Sequence, residues 1–129
     1  MRLLLDTHIW LWSLHDLSRL GKRVLLELRN EENELWLSPI STWEVLVLNE
    51  KGRIRLPEDE TSWIARATRP FHEAPLTHDI AAVAQRLAIP QRDPADRFLA
   101  ATAKVLDLTL VTGDVKLLGL GEIATLANR

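Results

Sequence analysis

The sequence predicts an α/β protein built on a largely parallel central sheet flanked by helices. Three short apolar runs, at residues 3–5, 35–37 and 108–111, are too brief for helices and are closed by polar residues, as buried parallel strands are. Segments with helical spacing separate these runs, and strands that alternate with helices imply crossovers and parallel pairing. No internal repeat, low-complexity run or Gly/Ser linker divides the 129 residues, so residues 1–129 are read as one domain. That length buries a core without disulfide or metal support.

The first strand ends at Asp6, where an open α/β sheet binds its ligands. Asp6 therefore reads as the first residue of a site, as the cap of the next helix, or as both. Residues 7–14, with Ile9, Trp10, Leu11, Trp12 and Leu14, predict a short and mostly buried helix. Ser18 precedes an amphipathic helix on which Leu20, Val24, Leu25 and Leu28 recur up to Asn30. Residues 30–33 form a loop, and the strand at 35–37 stops at Ser38-Pro39.

Ser41 begins the next helix, which ends near Gly52. Ser41 and Glu44 make the S-x-x-E pattern, in which the acid at the third helical position bonds back to the cap amide. Residues 59–69 are a further helix ended by Pro70, residues 75–77 a short extended piece, and residues 78–87 an alanine-rich helix in a region closed by Pro90. Asp93, Pro94 and Asp96 take the cap, first and third positions of the clearest helix in the chain, which runs to Leu106. After the strand at 108–111, Asp114 repeats the placement of Asp6, and the tail holds one turn of helix and an edge strand.

Composition excludes several functions. The chain has no cysteine, which removes disulfides, thiolate zinc sites and cysteine nucleophiles and is compatible with a reducing cytoplasm. There is no secretory pattern and no apolar run long enough to span a bilayer, so a soluble cytoplasmic protein with no membrane contact is expected. Sixteen basic against eighteen acidic residues leave a net charge of −2, so any hold on nucleic acid must be local.

Four acids stand at related places: Asp6 and Asp114 beyond strands, Glu44 and Asp96 at the third position of helices, with Asp93 a candidate fifth. In a parallel sheet, strand ends and the helix starts that follow them share one edge, so these residues can converge. Packed carboxylates repel one another and raise each other's pKa unless a cation lies between them. An all-oxygen set suits Mg²⁺ or Mn²⁺, and such a site serves phosphoryl chemistry. The competing reading is four ordinary helix caps.

The remaining candidates are weaker. His8, His15, His72 and His78 have no metal or triad spacing, and His8 is the best placed because it adjoins Asp6. Trp10, Trp12, Trp36 and Trp43 fall in apolar runs, which favours core or dimer packing over base stacking. Lys51, Arg53 and Arg55 form a basic cluster that reads equally as a phosphate contact or a solvated helix end. Arg97 adjoins Asp96 and is expected to orient it or to meet a phosphate. The glycines lack P-loop spacing.

The segments Leu4-Leu5-Asp6-Thr7-His8 with Trp12, Ser38-Pro39-Ile40-Ser41-Thr42-Trp43-Glu44, Arg92-Asp93-Pro94-Ala95-Asp96-Arg97-Phe98-Leu99-Ala100-Ala101 and Leu110-Val111-Thr112-Gly113-Asp114, in that order, resemble the PIN domain family and within it the VapC-type toxin ribonucleases. The resemblance covers nearly the whole chain. It implies a three-layer PIN-like fold and a Mg²⁺- or Mn²⁺-dependent endoribonuclease, the toxin of a type II toxin–antitoxin pair. It further implies an RNA substrate, a cognate antitoxin and a homodimer. Asp6, Glu44, Asp96 and Asp114 match the family's catalytic, metal-binding quartet, and Asp93 and Thr112 match accessory positions. Leu48 and Gln91 depart from the family pattern, where a basic residue and a histidine are frequent, and they bear on substrate preference. The alternatives are an RNA-processing PIN nuclease outside such a pair and a catalytically silent interaction module. A phosphatase using Asp6 as nucleophile is weaker, because His8 stands where a second acid is expected.

Overall fold

The structure, a computed structural model, describes residues 1–89 and 93–129. Pro90, expected to close the alanine-rich region, and the motif residues Gln91 and Arg92 lie outside the described residues. In chain order the elements are β1 (Arg2–Leu5), α1 (Thr7–His15), a 3₁₀ turn (Leu17–Arg19), α2 (Lys22–Arg29), β2 (Glu34–Leu37), α3 (Pro39–Glu50), α4 (Glu60–Thr68), β3 (His72–Glu73), α5 (His78–Arg86), α6 (Pro94–Leu106), β4 (Thr109–Thr112), α7 (Val115–Leu118) and β5 (Thr125–Ala127).

The five strands form one sheet in the order β3-β2-β1-β4-β5, and every pairing is parallel. The two-residue period of β1 divides its side chains between two cores. Leu3 and Leu5 pack with Ile9, Trp10, Val24, Val45 and Trp63 on one face. Leu4 packs with Ile80, Leu99, Ala100, Ala103 and Leu110 on the other. Helices therefore cover both faces, giving the expected three layers. Because β1 lies between β2 and β4, the chain runs outward on one side as far as β3 and restarts on the other side at β4. The strand order thus reverses between β1 and β4, where open sheets leave a crevice at their carboxyl edge.

Three local expectations are corrected. The amphipathic helix expected from Ser18 to Asn30 is split into the 3₁₀ turn and α2, with Gly21 as N-cap. The carboxyl-terminal segment forces the break: Gly21 N–H donates to Asn128 Oδ1 at 2.7 Å, and a Cβ at Gly21 would stand 1.9 Å from the Arg129 carbonyl oxygen. The helix carrying Glu44 begins at Pro39, capped by Ser38, whose hydroxyl accepts from Ile40 N–H. Ser41 is thus buried inside the helix, and Glu44 is not at its third position, so the capping-box role does not exist. The extended piece is His72–Glu73, not residues 75–77, because pairing with β2 selects it; Thr77 instead caps α5 by accepting from Ile80 N–H.

The tryptophans also divide. Trp10 and Trp63 are fully buried with rings 5.2 Å apart, whereas Trp43 is 57 % exposed and does not belong to the core.

Candidate active site

Asp6, Glu44, Asp93, Asp96 and Asp114 line one open cleft of about 670 Å³. It lies at the carboxyl ends of β1 and β4, where the strand order reverses. Each acid arrives by a different local route. Asp6 leaves β1 in extended conformation and caps α1, accepting from Thr7 N–H at 2.7 Å. Asp114 leaves β4 and caps α7, accepting from Lys116 N–H at 2.9 Å. Asp93 caps α6 at Ala95 N–H, and Asp96 lies in the first turn of that helix. Glu44 comes from the second turn of α3, which touches both α1 and α6. Capping and cleft lining coexist, because one carboxylate oxygen engages the helix amide and leaves the other for different partners.

Two buried threonines tie the acids together. Thr112 donates from Oγ1 to Asp6 Oδ2 at 2.7 Å and accepts from Asp114 N–H at 3.0 Å. Thr7 Oγ1 lies 2.5 Å from Glu44 Oε1 and 2.9 Å from Ser41 Oγ. A hydroxyl carries a single proton and an ionised carboxylate only accepts, so Thr7 donates to Glu44 and Ser41 donates to Thr7. Thr112 was visible in the Thr-Gly-Asp motif. Thr7 and Ser41 were missed as site residues, although each sits beside a recognised position. Only the packing of α1 on α3 turns them toward Glu44.

The electrostatics follow from the crowding. Burial raises the Asp6 carboxyl pKa, opposed by the bonds from Thr112 and Thr7 and by nearby His8. Burial likewise raises Glu44, with Thr7 opposing and Asp93 and Asp6 adding repulsion. Asp96 is pushed up to about 7, first by burial and then by the charges of Asp93, Asp6, Asp114 and Glu44. Asp96 therefore stands near the midpoint of its titration at neutral pH.

Arg97 is a correction. Its guanidinium donates to the carbonyls of Ala84, Leu87 and Ile89 at 2.9–3.2 Å, closing the carboxyl end of α5. It is committed to packing α5 on α6 and does not line the cleft. His8, Trp12, Arg19 and Asn128 do line it. Asn128 entered no motif; its backbone bonds Thr112 and its amide bonds Gly21 and Arg19, placements created by the pairing of β5 with β4.

The donor set fits a hard divalent cation in kind: several carboxylates, no thiolate, and mutual repulsion that a cation relieves. Among the described residues, no three acidic or histidine side chains already form a metal-ligand group, so the acids line an open rim.

A parallel five-stranded sheet covered on both faces, with acids at its switch point, defines an α/β protein with an acid-lined crevice. The chain belongs to the PIN domain family, whose description matches residues 3–122. It is similar to Ribonuclease VapC22 of Mycobacterium tuberculosis, with 32 % identity over 117 residues and 88 % of each chain covered. The fold is similar to that in a DNA-bound VapBC structure from Salmonella typhimurium, with TM-score 0.76, 15 % identity and 98 % of each chain covered. It is also similar to VapBC2 of Rickettsia felis bound to a promoter DNA fragment, with TM-score 0.72, 16 % identity and full coverage of both chains.

Proposed function

We propose that this chain is a Mg²⁺- or Mn²⁺-dependent endoribonuclease acting in the cytoplasm as the toxin of a type II toxin–antitoxin pair. The observation that carries the reading is the meeting of Asp6, Glu44, Asp96 and Asp114, from four separate elements, in one cleft at the carboxyl edge. Four unrelated helix caps do not require a common cleft. Glu44, moreover, caps nothing. The similarity to a protein named a ribonuclease supports the substrate class.

In this reading the four acids hold the cation, and Asp93 adds charge from the rim. When bound, the cation supplies water activation at neutral pH and neutralises charge building on a phosphodiester. Thr112 fixes Asp6 Oδ2, and Thr7 fixes Glu44 Oε1, so both carboxylates are held in one orientation. Without the cation, burial and the neighbouring carboxylates push Asp96 up to about 7, and a cation held there would favour its ionised form.

The cognate partner is an antitoxin, as the similarity to VapBC complexes supports. Beside the exposed Trp43, a mostly apolar cavity of about 410 Å³ opens between α3 and α4, lined by Leu46, Ile64 and Phe71. An antitoxin segment crossing α3 there would place an Arg or Lys among the acids, where a planar guanidinium binds carboxylates through two hydrogen bonds. A homodimer completes the proposed assembly.

The test is cleavage of structured RNA with Mg²⁺ or Mn²⁺, in excess EDTA, and by Asp6→Asn, Glu44→Gln, Asp96→Asn and Asp114→Asn, each checked by circular dichroism. The expected result is metal-dependent cleavage reduced by orders of magnitude in every folded variant. Cleavage undiminished in EDTA, or full activity in two variants, sinks the reading. A silent interaction module would leave RNA intact under all conditions.

A further inference from the structure

A second cavity, of about 530 Å³, adjoins the acid cleft and shares His8 and Trp12 with it. Its character is opposite. Leu11, Leu48, Ile54 and Leu56 give it an apolar floor, while Arg53, Arg55 and His15 stand at the rim. Both arginines are exposed, and among the described residues their guanidinium groups make no ion pair or hydrogen bond. Gly52, with φ +72°, turns the chain after α3 and brings this basic segment back against α1. On the cleft side, the Arg19 guanidinium lies 5.4 Å from the Trp12 ring, and the His8 ring lies 5.8 Å from it.

We propose that this groove holds the single-stranded RNA segment flanking the scissile phosphate: the His8–Trp12 wall stacks a base, and Arg53 and Arg55 bind the phosphates beyond it. The proposal rests on the ribonuclease reading and names where its substrate lies. Charge complementarity carries it. The chain is net negative and the cleft is strongly acidic, so a polyanion approaching the acids needs a local cationic rail. The groove supplies one that runs directly into the cleft. Stacking walls joined to cationic rims are the general solution for single strands, because every base has a π-face and every linkage a charge. The apolar floor suits an unpaired base and offers a duplex backbone nothing.

The experiment uses full-length protein in EDTA, so that binding is read without cleavage. The probe is a fluorescein-labelled single-stranded RNA of roughly a dozen nucleotides, followed by anisotropy across a salt series. Arg53→Ala with Arg55→Ala is expected to weaken binding and to reduce the slope of log K against log salt by about 1.4, two phosphates at about 0.7 each. Trp12→Leu is expected to weaken binding about fivefold or more with the slope unchanged, since stacking releases no counterions. Arginine-dependent RNA binding by a protein that never cleaves would support the groove while sinking the nuclease reading. Unchanged affinity and slope in the double-arginine variant, or no RNA binding by the wild type, overturns the proposal. Loss of antitoxin binding with RNA affinity intact in that variant assigns the groove to a protein partner and overturns it as well.

Discussion

Thr7 Oγ1 lies 2.5 Å from Glu44 Oε1, so the residue that follows Asp6 in sequence holds a second acid of the cleft that Asp6 lines. Thr7 is buried, and its hydrogen bond opposes the rise in the Glu44 pKa that burial causes. Thr7→Val keeps the shape and removes both the donor to Glu44 and the acceptor of the buried Ser41 hydroxyl. It should cost about 1–2 kcal/mol, near the low end for a bond to a charged group because Glu44 is partly solvated. RNA cleavage should fall with it, and Thr7→Ser should restore both. Urea unfolding and a cleavage assay check this; a Val variant with wild-type stability and rate would falsify the positioning role.

The raised carboxylate pKa values make the metal-free protein sensitive to pH. Asp96 stands at about 7 when folded against a reference of 3.8, so between those values the folded state binds more protons than the unfolded state. Stability therefore falls as pH rises through that window, and Asp6 and Glu44, also raised, act in the same direction. Melting in EDTA should show a lower Tm at pH 8 than at pH 5, a difference reduced in Asp96→Asn. Mg²⁺ or Mn²⁺ should raise Tm more at pH 8, where the carboxylates are ionised. A Tm in EDTA that climbs from pH 5 to 8 would contradict the sign.

Asp93 is exposed and caps α6 through Ala95 N–H. Asp93→Ser preserves a cap and should retain the helix and most activity. Asp93→Ala should lose about 0.5–2 kcal/mol. If the Ser variant loses all cleavage at unchanged melting temperature, Asp93 belongs with the metal-binding acids instead.

Trp10 and Trp63 allow a matched comparison inside one core. Both are fully buried, but Trp10 Nε1 donates to the Ala67 carbonyl at 3.1 Å, while Trp63 Nε1 has no hydrogen-bond partner among the described residues. Replacement by Phe removes similar volume at each. Trp10→Phe should therefore be the more destabilising, by about 1 kcal/mol, the net worth of a buried hydrogen bond. Denaturant titration of the two variants decides it, and equal or reversed costs would show that cavity shape dominates.

Asp6, Asp96 and Asp114 were legible in the sequence because their placement is local. Each follows an apolar strand or opens a helix with its own start signals, and parallel topology sends all such positions to one edge. The alternation of apolar runs with helical segments carried the layer architecture for the same reason: period and length are properties of a few neighbouring residues.

What only the tertiary structure decided depends on residues far apart in sequence. Glu44 reads as a capping-box acid until Ser38 takes the cap and α1 brings Thr7 against it. Gly21 breaks a helix whose periodicity continues through it, because residues 128 and 129 occupy the space a side chain would need. Arg97 sits one residue from a cleft acid yet turns to carbonyls of α5, since successive helical residues point about 100° apart and α5 offers unsatisfied acceptors. Local pattern determined most of the elements and the edge the acids share; long-range pairing and packing split the helix at Gly21, selected His72–Glu73 as β3, and decided which atom of each side chain meets which partner.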